Sequence, residues 1–138
     1  MTRFVLDASV TFAWCFADEA SEAADALLDR VERDGAIVPG VWPLEVANVL
    51  LVAERRRRIT PEIAGRFVDL LAALPIVVDD ETGSRALGDT IDLARRLALT
   101  AYDAAYLELA KRRGLALATR DSDLRKAAAK SLVKLLAV

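Results

Sequence analysis

Short runs of β-forming apolar residues recur along this chain, and a segment with helical patterning separates each run from the next. The clear runs are Phe4–Leu6, Ile37-Val38, Ile76–Val78 and Leu115–Ala118. Each is apolar throughout rather than alternating, as in strands covered on both faces. Strands that alternate with helices in this way must run mostly parallel, with the helices packed over the sheet.

The helical segments carry their own start and stop signals. Ser9 caps a short helix through Phe16. Ser21-Glu22 opens an amphipathic helix in which Ala24, Leu27, Leu28 and Val31 recur at helical spacing, and Gly35 ends it. Pro43 suits the first turn of a helix reaching about Arg57. Thr60-Pro61-Glu62 starts another that ends near Leu74. One helix is expected from about Thr82 to Leu97. Thr100 caps a helix over Ala101–Arg113, which Gly114 terminates. Asp121 or Ser122 caps a last helix to about Lys130, and Val133–Leu136 reads as an edge strand. The expectation is a three-layer α/β/α fold around a central, mostly parallel sheet of four to five strands. No repeat, linker or low-complexity stretch interrupts it, so residues 1–138 read as one domain.

Composition removes whole classes of chemistry. The chain has no histidine and one cysteine, Cys15. Serine–histidine and cysteine–histidine catalysis, histidine-ligated zinc and an internal disulfide are therefore excluded. A single thiol fits a cytoplasmic setting. The sequence MTRFVLDASV has no secretory apolar core before its first acid, and no apolar run approaches the length of a membrane span. The net charge of −2 gives no global positive field for nucleic acid, so phosphate binding would need local basic groups or bound metal.

Four acids stand just after predicted strands or at helix starts: Asp7 in FVLDAS, Glu45 in VWPLEVAN, Asp103 in LTAYDAAYLELA and Asp121 in LALATRDSDL. Each has a structural reading. Asp7 can accept local backbone donors, Glu45 and Asp103 suit first helical turns, and Asp121 is a good N-cap. The set points elsewhere. In an open parallel sheet the strand ends share one edge, where ligands bind. Carboxylates gathered there repel one another, and hard divalent cations such as Mg2+ take oxygen ligands of this kind. Phosphodiester hydrolysis needs an activated water and charge neutralised on the phosphate. One or two metal ions, about 3.5–4 Å apart where there are two, supply both. Glu45 or Asp121 is placed to orient the water or accept its proton.

The segments FVLDASV, WPLEVANVLL and LTAYDAAYLELAKRRGLALATRDSDLRKAA, in this order and spacing, resemble the PIN-domain ribonucleases of the VapC toxin type. The likeness covers nearly the whole chain. It implies that Asp7 and Asp103 are the acids most directly associated with Mg2+ (or Mn2+ in its place), and that Glu45 and Asp121 complete the quartet. It implies supporting hydroxyls at Ser9 and Thr119, with Asp123 as a further acid that shares or replaces the role of Asp121. It also implies a cytoplasmic toxin that cleaves RNA, forms homodimers and is inhibited by a VapB-like antitoxin.

Other features are weaker. Arg120 and Arg125 lie near the predicted site edge and are candidate RNA contacts. Arg55–Arg58 and Lys111-Arg112-Arg113 suit helix C-termini. Trp14, Phe16, Trp42 and Cys15 read as packing residues. Two rivals remain: a catalytically idle binding partner with the same fold, and another metal-dependent α/β phosphohydrolase. A haloacid-dehalogenase-type phosphatase would place a second Asp where Ser9 stands. A P-loop is absent, because Gly83 to Gly88 is followed by Asp89 instead of lysine.

Overall fold

The structure, a computed structural model, describes residues 3–138. Four strands, β1 (Phe4–Leu6), β2 (Ala36–Val38), β3 (Ile76–Val78) and β4 (Leu117–Ala118), form one sheet in the order β3-β2-β1-β4. Every pairing is parallel. The helices are α1 (Ala8–Ala13), α2 (Glu22–Asp34), α3 (Trp42–Arg55), α4 (Pro61–Ala73), α5 (Thr82–Arg85), α6 (Ile91–Leu97), α7 (Ala101–Arg113) and α8 (Ser122–Lys130). They cover both faces of the sheet, giving the three-layer α/β/α arrangement. Among the described residues no helix is long and apolar enough to cross a membrane.

The order of the strands decides where a site forms. The chain leaves β1 toward β2 and β3 on one side, then crosses the sheet so that β4 pairs on the other side of β1. The direction of winding therefore reverses between β1 and β4, which opens a crevice beyond their carboxyl ends. β1 is central and wholly buried, which explains its uniformly apolar sequence. The helix α7 is buried from Ala104 to Ala110, so its pattern shows no apolar stripe. Gly114 ends α7 at φ +64°, a conformation that costs glycine least, and lets the chain turn into β4.

Three local expectations are corrected. Ser9 does not cap the first helix: α1 starts directly after Asp7, and the Ser9 hydroxyl is used in the site instead. The single helix expected over Thr82–Leu97 is divided into α5, a π-helical turn at Ala86–Thr90, and α6. Gly88 lies in that turn, where its weak helix propensity resists a regular ladder least. The expected edge strand Val133–Leu136 shrinks to one bridge between Leu117 and Leu135, because β4 offers only two residues to pair with.

Away from the crevice, a buried ion-pair network ties α7 to the end of β3. Arg112 donates to Asp79 (Nη2 to Oδ2, 2.7 Å), to Glu108 (Nε to Oε2, 2.8 Å) and to Glu81 (Nη1 to Oε2, 3.2 Å). The Asp79 side chain is fully buried and that of Arg112 is 13% exposed. Burial pushes the Asp79 carboxyl up, but the hydrogen bonds and charge of Arg112, with Arg113, outweigh it and hold it below its ordinary value. The stabilisation this gives is present above the ordinary carboxylate value and fades as pH falls through the lower folded one. Arg112→Met would leave Glu108 as a buried, unpaired charge and Asp79 with Arg113 alone. Urea denaturation at neutral pH should show a loss of about 3–5 kcal/mol. An unchanged midpoint would mean that the network contributes nothing.

Candidate active site

Asp7 leaves β1 at the crevice, with its backbone N–H bonded to the Ala118 carbonyl of β4 at 3.0 Å. Thr119 follows β4 on the neighbouring side. The Thr119 and Ser9 hydroxyls both donate to Asp7 Oδ2, at 2.6 and 2.7 Å. Neither engages Oδ1. Ser9 Oγ in turn accepts the Arg120 amide at 2.9 Å, which ties α1 to the β4–α8 connection.

The other three acids arrive on helix starts. Glu45 lies in the first turn of α3, and its Oε1 accepts the hydroxyl of Tyr106 from α7. Asp103 lies in the first turn of α7, which Thr100 caps by accepting the Asp103 amide at 3.1 Å. Asp121 is the N-cap of α8: its Oδ2 accepts the Leu124 amide at 2.8 Å. Asp7, Glu45, Asp103 and Asp121 line one open pocket of about 320 Å³, with Ser9 and Arg120 in its wall.

The carboxyls act on one another. Asp103 is pushed up to about 6, first by burial and then by the charges of Asp121, Asp7, Glu45 and Asp123. Burial raises Asp7, and the hydrogen bonds from Thr119 and Ser9 only partly offset it. Burial also raises Glu45, the Tyr106 hydrogen bond opposes it, and the charge of Asp7 adds to it. The donors that reach these carboxylates are hydroxyls and a backbone amide, all neutral. Among the described residues no cationic side chain is hydrogen-bonded to these carboxylates, and Arg120 in the pocket wall bonds neutral acceptors instead.

The remaining candidates separate. Asp123 is exposed on α8 and contributes field, while Asp121 lines the pocket. Arg120 donates to the Glu19 carbonyl at 2.8 Å and to Ser21 Oγ at 3.0 Å, and Arg125 donates to the Thr119 carbonyl at 2.8 Å. Both guanidinium groups are therefore engaged within the chain. Trp14 and Trp42 donate to the Ala24 carbonyl and to Thr11, as packing residues. Sequence reasoning missed Tyr106, whose available signal was its place one helical turn after Asp103. It also passed over Asp79, Asp80 and Glu81, whose ligand oxygens lie within 4.8 Å of one another. Arg112 and Arg113 already neutralise Asp79, and Arg85 and Arg112 neutralise Glu81, so a cation there would have to displace arginines.

The PIN domain family model matches residues 4–130, a span that holds all four acids. The chain belongs to the PIN domain family. Ribonuclease VapC3 of Pyrobaculum aerophilum is similar to it, at 29% identity over 122 residues, 88% of this chain and 92% of the relative. Two solved structures share the fold. The crystal structure of PAE2754 from Pyrobaculum aerophilum matches with a TM-score of 0.68 and 22% identity, over 91% of this chain and 84% of the other. That of FitAcB from Neisseria gonorrhoeae matches with a TM-score of 0.56 and 21% identity, over 97% and 96%.

Because the folded Asp103 carboxyl holds its proton more tightly than the unfolded one, stability is lost as pH rises from the ordinary 3.8 through about 6. Asp103→Asn removes that loss. In metal-free buffer it should melt a few degrees above wild type at neutral pH, with the gap closing as pH falls below 4. Parallel melting curves for the two proteins across the whole range would refute the raised carboxyl.

Proposed function

We propose that this protein is a Mg2+-dependent endoribonuclease that hydrolyses phosphodiester bonds in RNA at the pocket of Asp7, Glu45, Asp103 and Asp121. The observation that carries the reading is the convergence of four carboxylates on one pocket with only neutral hydrogen-bond partners. Such an all-oxygen, uncancelled donor set fits a hard divalent cation, with Mn2+ as a substitute for Mg2+. The family membership and the likeness to a protein named a ribonuclease support the same reading.

Asp7 and Asp103 would hold the ion, with Glu45 and Asp121 completing its surroundings. When bound, the ion supplies charge neutralisation at the phosphate and activation of a water. The chain's own residues do the rest. Thr119 and Ser9 fix Asp7 through Oδ2 at the pocket wall. Glu45 or Asp121 is placed to orient the attacking water or accept its proton. Asp121 is held at the pocket wall by the Leu124 amide of α8. Arg120 and Arg125 lie at the edge where the RNA backbone would pass, and either would have to exchange an internal acceptor for a phosphate.

The single domain over residues 1–138 acts in this reading as the toxin of a VapBC-type pair in the cytoplasm, inhibited by a VapB-like antitoxin and present as a homodimer. Leu44, Leu51, Ile63, Val68 and Leu70 leave exposed apolar surface along α3 and α4, which supports a protein contact there.

Purified protein should cleave RNA with Mg2+ or Mn2+ and stop when EDTA is added. Asp7→Asn and Asp103→Asn should each lower the rate by about 100-fold or more while circular dichroism stays unchanged. Millimolar Mg2+ should raise the wild-type Tm. Wild type that cleaves no RNA with either metal would overturn the reading.

A further inference from the structure

We propose that Tyr106 is a positioning residue of this site, acting through Glu45; the inference rests on the nuclease reading. Tyr106 is among the largest side chains with no solvent exposure. Its neighbours on α7, Ala104, Ala105, Leu107 and Leu109, are all buried and apolar. A phenylalanine would fill nearly the same volume without bringing a hydroxyl into that setting. A hydroxyl buried there costs stability unless it is hydrogen-bonded. Its partner is part of the site: the hydroxyl donates to Glu45 Oε1.

One hydroxyl therefore joins two acid-bearing elements: α3 with Glu45, and α7, which carries Asp103 three residues earlier. Glu45 needs such an anchor more than the aspartates do. Its side chain has one more rotatable bond, and it stands half-buried in a first helical turn. Binding Oε1 selects a rotamer and fixes where Oε2 points. Asp7 is held by Thr119 and Ser9, and Asp121 by the Leu124 amide, each through one oxygen. Tyr106 gives Glu45 the equivalent hold. Partners of this kind orient a ligating group without touching the ion.

The test is Tyr106→Phe in the full chain, with Mg2+ or Mn2+ alone as the probe. The variant should fold. Its half-saturating metal concentration, read from Tm against metal, should rise by about 10-fold or more. Its kcat should fall while KM for RNA stays put. In a Glu45→Ala background, adding Tyr106→Phe should leave the metal concentration unchanged within about twofold, because the group it acts through is gone. Wild-type metal response and kcat in Tyr106→Phe would overturn the proposal and leave the nuclease reading intact. An equal loss in the Glu45→Ala background would also overturn it, by assigning the effect to packing. A Tyr106→Phe chain that fails to fold would refute the separation of ring from hydroxyl. Failure of wild type to bind either metal or to cleave RNA would instead remove the nuclease reading itself.

Discussion

Asp7 is gripped by hydroxyls from two sides of the sheet, Ser9 on α1 and Thr119 just past β4. Those bonds hold a nearly buried carboxylate in place without giving it a counter-charge. The protein treats its second acidic group in the opposite way. Asp79 meets two arginines and is pulled below its ordinary value, while Asp7, Glu45 and Asp103 are pushed above theirs. Burial acts in the same direction on Asp7 and on Asp79, so the difference lies in the partners. Neutral donors orient a charge and leave its field available, whereas guanidinium groups consume it. This contrast separates the pocket acids from a structural staple more clearly than the closeness of the oxygens does.

Such a pocket needs a sheet whose winding reverses beside β1. With β4 paired to β1 on the side away from β2, the loops after the two strands diverge and leave room between them. Asp7 and Thr119 then face each other although they are 112 residues apart in sequence. Short strands suffice, because their task is to place loop residues; β1, β2 and β4 are wholly buried, whereas the edge strand β3 keeps Val77 and Val78 exposed. Arg120 extends the brace: its side chain ties the pocket wall to the Glu19 carbonyl and to Ser21, the N-cap of α2.

Much of this was legible in the sequence because it was written in local signals. The apolar runs gave the strands, and Ser21, Thr60, Thr100 and Asp121 each act as the N-cap their context suggests. The four acids of the pocket could be named because each abuts a strand end or a helix start. What stayed hidden depends on distant partners. Ser9 looked like a cap because its neighbours in sequence suit one, yet its hydroxyl is taken by Asp7 and by an amide 111 residues away. Asp121 and Asp123 could not be told apart until the α8 start turned one inward and left the other exposed. Tyr106 was not singled out in the sequence, and its ring is core. Only the hydroxyl, meeting Glu45 across 61 residues, gives it a second use.

The helix α7 holds both kinds of acid chemistry at opposite ends. In its first half Asp103 lines the pocket and buried Tyr106 donates to Glu45, and in its second Glu108 and Arg112 form the neutralised network. The helix dipole favours this division, since an acid suits the first turn and a cation the last. It does not overcome the pocket: the charges of Asp121, Asp7 and Glu45, added to burial, still raise Asp103. Gathering like charge makes the crevice end of α7 the costly end, and packing from Ala104 to Ala110 together with the Arg112 pairs offsets that cost elsewhere on the same helix. A site strained by its own charge can thus remain in place without an internal counter-ion, because the element that carries its most perturbed acid is anchored independently of it.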